Sequence, residues 1–143
     1  MAAVRRKRVL VVSNDHVGSS MAGPGIRYAH FARELSGRFD VTLLVPNDTD
    51  LELDRVTIRR SSELSLSAFT RLAREHDAVV AQDLAPRLMW RLARSSTRVV
   101  YDLYDPYPME NLGAFAAAGR TSTHDEREYR MGCLLYTSDA ADE

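Results

Sequence analysis

The 143-residue chain contains a single cysteine, Cys133, so no disulfide can form within it, and such sparing use of cysteine fits a reducing compartment. No apolar run approaches the roughly 20 residues of a membrane-spanning helix. The N-terminus has basic residues but lacks both the apolar core and the small-residue cleavage site of a signal peptide. A cytoplasmic location is the expectation. A dominant charge is missing too: 19 Lys and Arg stand against 20 Asp and Glu, a net charge of −1. No global field therefore draws nucleic acid, and no nucleic-acid partner is expected. The one dense basic cluster, RRKR at residues 5–8, reads as a solvated tail ahead of a buried strand, with a phosphate or membrane contact as the alternative. None of His16, His30, His76 and His124 is paired with cysteine or carboxylate at metal-ligand spacing, so no metal site is expected.

Two nucleotide motifs are absent as well. The G-x-G-x-x-G that follows the first strand of dinucleotide-binding domains is not matched by Gly18, Gly23 and Gly25, and the second strand ends in Pro46 and Asn47 rather than an acid for ribose. The P-loop spacing, with its Gly-Lys-Ser/Thr, is also missing.

What is present is an alternation of strands and helices. Residues 7–13 form an apolar strand suited to the centre of a sheet covered on both faces. A loop over 14–23 leads into a helix from Pro24 or Gly25 to Ser36, with proline at its start, Gly37 as C-cap, and Tyr28, Phe31, Ala32 and Leu35 on its inner face. Strands follow at 39–46 and 55–60, the latter nearer an edge. Helix 64–76 turns Leu64, Ala68, Phe69, Leu72 and Ala73 inward, strand 78–81 ends at Gln82 and Asp83, and helix 84–95 faces inward through Leu88, Leu92 and either Met89 or Trp90. A last strand at 98–103 runs into a proline-punctuated loop at 104–108. This order predicts an α/β, doubly wound, Rossmann-like, mostly parallel sheet in a single domain of residues 1–119. Ligands of such sheets lie outside the carboxyl ends of the strands. The loops to watch are 14–25, 82–83 and 102–110.

After Gly119 the pattern fails. Residues 120–132 read as the start of a truncated continuation. Residues 133–143, CLLYTSDAADE, back-translate into what resembles a transposase-type sequencing adapter and are set aside. The natural frame is expected to continue past about Met131, and an apolar surface bared by the cut predicts poor solubility.

The segments VLVVSND, MAGPGIRYAHFARELSGRFDVTLLVPN, AVVAQD and RVVYDLYDPYPMENL together resemble the N-terminal domain of GT-B glycosyltransferases of the large retaining family 4, over residues 8 to about 112. In that family two doubly wound domains face each other, the N-terminal one chiefly holding the acceptor and the C-terminal one the nucleotide-sugar donor. The resemblance implies transfer of a sugar from a nucleoside-diphosphate sugar to a glycan, lipid or polysaccharide-precursor acceptor, with no metal or other cofactor. It also implies that the chain alone, without the donor domain, is inactive.

Carried over by position, the resemblance puts Gly23, Pro24 and Gly25 in a loop whose bare backbone approaches the donor diphosphate, the alternative being a tight helix start with nothing bound. Arg27 either contacts phosphate or is an exposed helix residue. Tyr104 and Asp105 stand where many relatives read His-Asp, and a tyrosine phenol reaches differently. Asp102 and Asp105 bind sugar hydroxyls or cap a turn around Pro106. Gln82 and Asp83 line the acceptor side, unless Asp83 caps the following helix. By its place in the first loop rather than by the resemblance, His16 either touches acceptor or phosphate or is a loop residue with nothing bound. Two other readings stay open: an NAD-type nucleotide-cofactor enzyme and a non-catalytic α/β binding module.

Overall fold

A computed structural model of the chain describes residues 5–102. Its elements run β1 (Arg8–Val12), α1 (Gly23–Ser36), β2 (Asp40–Val45), β3 (Val56–Arg60), α2 (Leu66–Arg74), β4 (Ala78–Ala81), α3 (Pro86–Leu92) and β5 (Arg98–Tyr101). All pairings are parallel, and the strand order is β3-β2-β1-β4-β5. The fold is therefore α/β and doubly wound, as the alternation of patterns predicts. Strand order reverses between β1 and β4, which is where such sheets open a crevice above their carboxyl ends.

Two cores explain why β1 is apolar on both faces. Leu10 and Val12 pack with Leu44, Leu72, Ala73, Val79, Ala81, Leu88 and Leu92 beneath α2 and α3. Val9 and Val11 pack with Tyr28, Ala29, Ala32, Val41, Leu43 and Val45 beneath α1. The period-2 alternation of β1, β2 and β4 feeds both layers, so burial on each side fixes the register. Phe31 and Leu35 complete the inner face of α1, with Tyr28 meeting Phe31 edge-on at 5.8 Å between ring centres.

Several boundaries differ from the pattern reading, each for a local reason. The third helix is seven residues long, Pro86–Leu92, and its N-cap is Ala85 with no side-chain cap, so Asp83 does not cap it. The capping explanation for Asp83 is thereby removed. Leu84 instead drops into the core at 4% exposure. Met89 packs against that core, while Trp90 faces solvent. Helix α2 starts at Leu66 because Ser65 accepts the Ala68 N–H at 3.2 Å, an N-cap that the apolar spacing alone conceals. Gly37 ends α1 with an ordinary right-handed conformation rather than a left-handed cap. Arg55 is no strand residue, having φ 59° in the turn before β3.

At the amino edge of the sheet, Asp77 gathers the start of β1. Its carboxylate accepts the Arg8 N–H at 2.8 Å, Lys7 Nζ at 3.1 Å and Arg5 Nη2 at 3.3 Å. Part of the RRKR cluster thus closes the sheet rather than hanging free. The backbone bond from Arg8, followed by the bond to Lys7, holds the Asp77 carboxyl below its usual range. A carboxylate with a depressed native pKa stabilises the fold at pH above its unfolded value, about 3.9, and loses that contribution as pH falls through the native value. Asp77→Asn is therefore expected to lower stability near neutral pH and to make the acid limb of a stability-versus-pH curve shallower, which urea titrations at stepped pH will read.

Candidate functional site at the carboxyl edge

The register carries three polar residues into one row. Val12 pairs with Ala81, and Ala81 with Tyr101, so the next positions along β1, β4 and β5 are Ser13, Gln82 and Asp102. The backbone bonds Ser13 N–H to Leu44 C=O (2.9 Å) and Asp102 N–H to Ala81 C=O (2.9 Å) extend the ladder through that row. Alternation puts all three on the side of Val9, Val11 and Val80, the side that α1 covers.

Helix α1 closes over this row. The Arg27 guanidinium, in its second turn, grips the Asp102 carboxylate through Nε at 2.6 Å and Nη2 at 2.7 Å, a bidentate pair. It also lies 4.9 Å from the Phe31 ring centre, which holds its plane. The two residues assigned separately to ligand thus meet each other, across the switch point. Arg27 stays 41% exposed, whereas Asp102 is 11% exposed. At the same edge, Asn14 Nδ2 donates to the Asp83 carbonyl at 3.4 Å and ties the β1 loop to the β4 loop.

Gln82 is the unusual member. It is 3% exposed, yet among the described residues its amide makes no hydrogen bond. A carboxamide offers two donors and an acceptor, a capacity that no other described residue takes up here. Ser13, by contrast, is satisfied through the Asp15 carbonyl at 2.9 Å.

The start of α1 divides the glycine loop into two parts. Gly23 has open space where a side chain would stand. A Cβ on Gly25 would instead fall 2.2 Å from the His16 carbonyl oxygen and 3.0 Å from Met21 Cβ. Gly25 is bare because the β1 loop crosses it. Pro24 occupies the first turn, where the absence of an N–H is harmless.

That loop is braced on its other flank. Asn47 accepts the Val17 N–H at 3.1 Å and donates to the Val17 carbonyl at 3.0 Å, which seats Val17 in the core at 0% exposure. Asp50 accepts the Ser19 N–H at 3.1 Å, and the bonds from Ser19 draw its carboxyl below the usual range, with a smaller contribution from His16. The His16 ring lies beside Gly18 and Asp50, on the β2–β3 flank of the loop rather than in the row with Gln82. Of the remaining histidines, His30 meets Arg33 on the outside of α1 at 2.7 Å. His76 is buried below the sheet, with Nδ1 donating to the Leu72 carbonyl at 2.7 Å and Nε2 meeting the Thr42 hydroxyl at 3.1 Å. Tyr104 and Asp105 lie outside the described residues, as do His124 and Cys133. Among the described residues no group of three or more His, Cys, Asp or Glu has a metal-binding arrangement, and no helix is long and apolar enough to cross a membrane.

Sequence reasoning singled out Gln82, Arg27 and Asp102, but it missed Ser13, Asn14 and Asn47. The signal for Ser13 was available as the first polar residue after an apolar strand. In the sequence Asn47 signals only the absence of an acid.

No family model matches the chain, and no curated protein sequence is similar to it. Among solved structures it is similar to a Bacteroides thetaiotaomicron protein described as a putative epimerase, with a TM-score of 0.40 and 15% identity over 64% of this chain and 42% of that one. The chain thus corresponds to less than half the length of that protein, and a likeness this loose carries no argument about either molecule.

Proposed function

We propose that this chain is the acceptor-side domain of a GT-B-type glycosyltransferase, acting with a donor-side domain to move a sugar from a nucleoside-diphosphate sugar to an acceptor bound above the sheet. The observation that carries the reading is Gln82, 3% exposed at the topological switch point and with no hydrogen bond from its amide to another described residue, where a ligand's hydroxyl or carbonyl could meet that amide. Two further features support it. Gly23 leaves the backbone of the α1 start open to an anion, toward which the helix dipole is favourable. Arg27 adds a positioned guanidinium at the same rim. In the transfer step the bond between the anomeric carbon and the diphosphate breaks as the acceptor hydroxyl oxygen bonds to that carbon, and the hydroxyl proton passes to the departing diphosphate. Charge developing on the leaving diphosphate is then stabilised by donors already in place. Asn47 also bears on the NAD-type alternative, because its amide clamps Val17 over the carboxyl end of β2, where a ribose-binding acid would be needed.

The test separates binding from folding. Gln82→Met removes the amide at nearly constant volume and breaks no hydrogen bond to another described residue, so stability is expected to hold. In the chain joined to its donor-side domain, with UDP-glucose or GDP-mannose as donor and a panel of glycan and lipid acceptors, the same change is expected to raise the acceptor KM by about tenfold, the loss of one good hydrogen bond. Sugar transfer by the 143-residue chain alone, or hydride transfer with a nicotinamide cofactor, would overturn the proposal.

A further inference from the structure

Among the ion pairs of the described residues, that of Arg27 with Asp102 stands out for its carboxylate. Asp102 is 11% exposed, against 25% for Asp77 and 57% or more for every other acid in a pair. Its backbone is fixed by the bond from its N–H to the Ala81 carbonyl at 2.9 Å, so the carboxylate moves with the sheet. Arg27 is the partner that can move. Its guanidinium reaches Asp102 on a long, partly exposed side chain from α1, and the Phe31 ring, 4.9 Å away, offers a second resting surface once the grip is released.

Two neighbours mark this pair as bordering a ligand's approach. Gly23 lies one helical turn before Arg27 on the same face of α1, with open space where a side chain would stand. Gln82 adjoins Asp102 in the row at the strand ends, about 4.8 Å away by strand spacing, and is 3% exposed with no hydrogen bond to another described residue. Yet the charge of Arg27 is already neutralised, since Nε and Nη2 both donate to Asp102.

We propose that Asp102 is an internal competitor for Arg27, which holds the guanidinium until a diphosphate takes it over and so keeps singly charged anions from the start of α1. That a diphosphate comes to this rim at all is taken from the sugar-transfer reading, on which this rests; what is new is the selection by charge. An anion that needs Arg27 finds it only in the fraction of molecules whose pair with Asp102 is open, and its apparent affinity falls by that fraction. The attached carboxylate also competes at an effective concentration on the order of millimolar. A monoanion therefore gains nothing by the exchange. A diphosphate brings more charge, and oxygens enough for both the guanidinium and the N–H groups of the helix start, so the exchange favours it.

Asp102 also repels any anion through its charge alone, and the test separates the two effects. Inorganic pyrophosphate and dimethyl phosphate are titrated calorimetrically into the 143-residue chain at low salt. Asp102→Asn is expected to bind pyrophosphate about tenfold more tightly than the wild type, the removal of a competitor worth about 1.4 kcal/mol, and to bring dimethyl phosphate into the measurable range. Asp102→Ser, also uncharged, is expected to show the same gain, so the result does not depend on the folding of one variant. In an Arg27→Gln background the gain is expected to shrink to about twofold or less, because no guanidinium is left to release. Unchanged or weaker pyrophosphate binding in both Asp102 variants, binding to none of the proteins, or an equal gain alongside Arg27→Gln would each overturn the proposal. Sugar transfer by the two-domain protein without the gain would defeat this proposal alone, whereas the gain without sugar transfer would defeat the transfer reading alone.

Discussion

Gly25→Ala is expected to cost about 3 kcal/mol of unfolding free energy, the upper end for an overpacked site, which lowers the melting temperature of a domain this size by on the order of 15 °C. Alanine is ordinarily the better helix former by about 1 kcal/mol. Here that gain is outweighed, because the new methyl would stand 2.2 Å from the His16 carbonyl oxygen and 3.0 Å from Met21 Cβ. Backbone atoms occupy the space, and no rotamer change clears them. The only relief is to lift the β1 loop, which is pinned by the two Asn47–Val17 bonds and by Asp50 on Ser19. Gly23→Ala is the internal control. Its Cβ meets nothing within 4 Å, so the substitution is expected to be neutral or to stabilise by up to about 1 kcal/mol through the unfolded chain. Thermal melts of the two variants side by side are the check. Equal stability would mean that the loop does not lie on the helix start.

The contrast between these two glycines also marks how far the sequence could be read. Apolar runs and helical spacing gave the elements of the sheet and their order of appearance, since burial on both faces of β1 and on one face of each helix writes itself into residue type. The same alternation, through the rule for doubly wound sheets, also directs the search for a candidate site to the carboxyl edge. What spacing does not carry is which neighbour takes up a polar group. Gly-Pro-Gly looked like one bare-backbone unit, yet Gly25 yields to the loop and Gly23 stays open. Asp83 sits at a capping distance from an apolar helix pattern, yet Pro86 moves the start of α3 and leaves Asp83 outside it. Asn47 read as a missing acid and proved to be a clamp. The Asp83 case is decided locally, by Pro86, whereas the Gly25 and Asn47 cases depend on contacts with His16 and Val17, residues from other segments that no local pattern records.

The bidentate pair of Arg27 with Asp102 spans 75 residues and is the clearest such contact. Arg27→Gln is expected to destabilise the domain by about 2 kcal/mol, because it leaves the Asp102 carboxylate, 11% exposed, without its cation. A fully buried pair loses about 3–5 kcal/mol when broken. The smaller figure applies here since the arginine side is 41% exposed and water screens it. Asp102→Asn is expected to cost less, about 1 kcal/mol, as the freed guanidinium can turn to solvent and keep its stack on Phe31. The double variant is then expected to be more stable than the sum of the two single losses by about 1 kcal/mol or more, a coupling that a double-mutant cycle in urea will measure. Additivity would mean that the start of α1 is not anchored to the end of β5. The row of Ser13, Gln82 and Asp102 would then lie under no fixed cover.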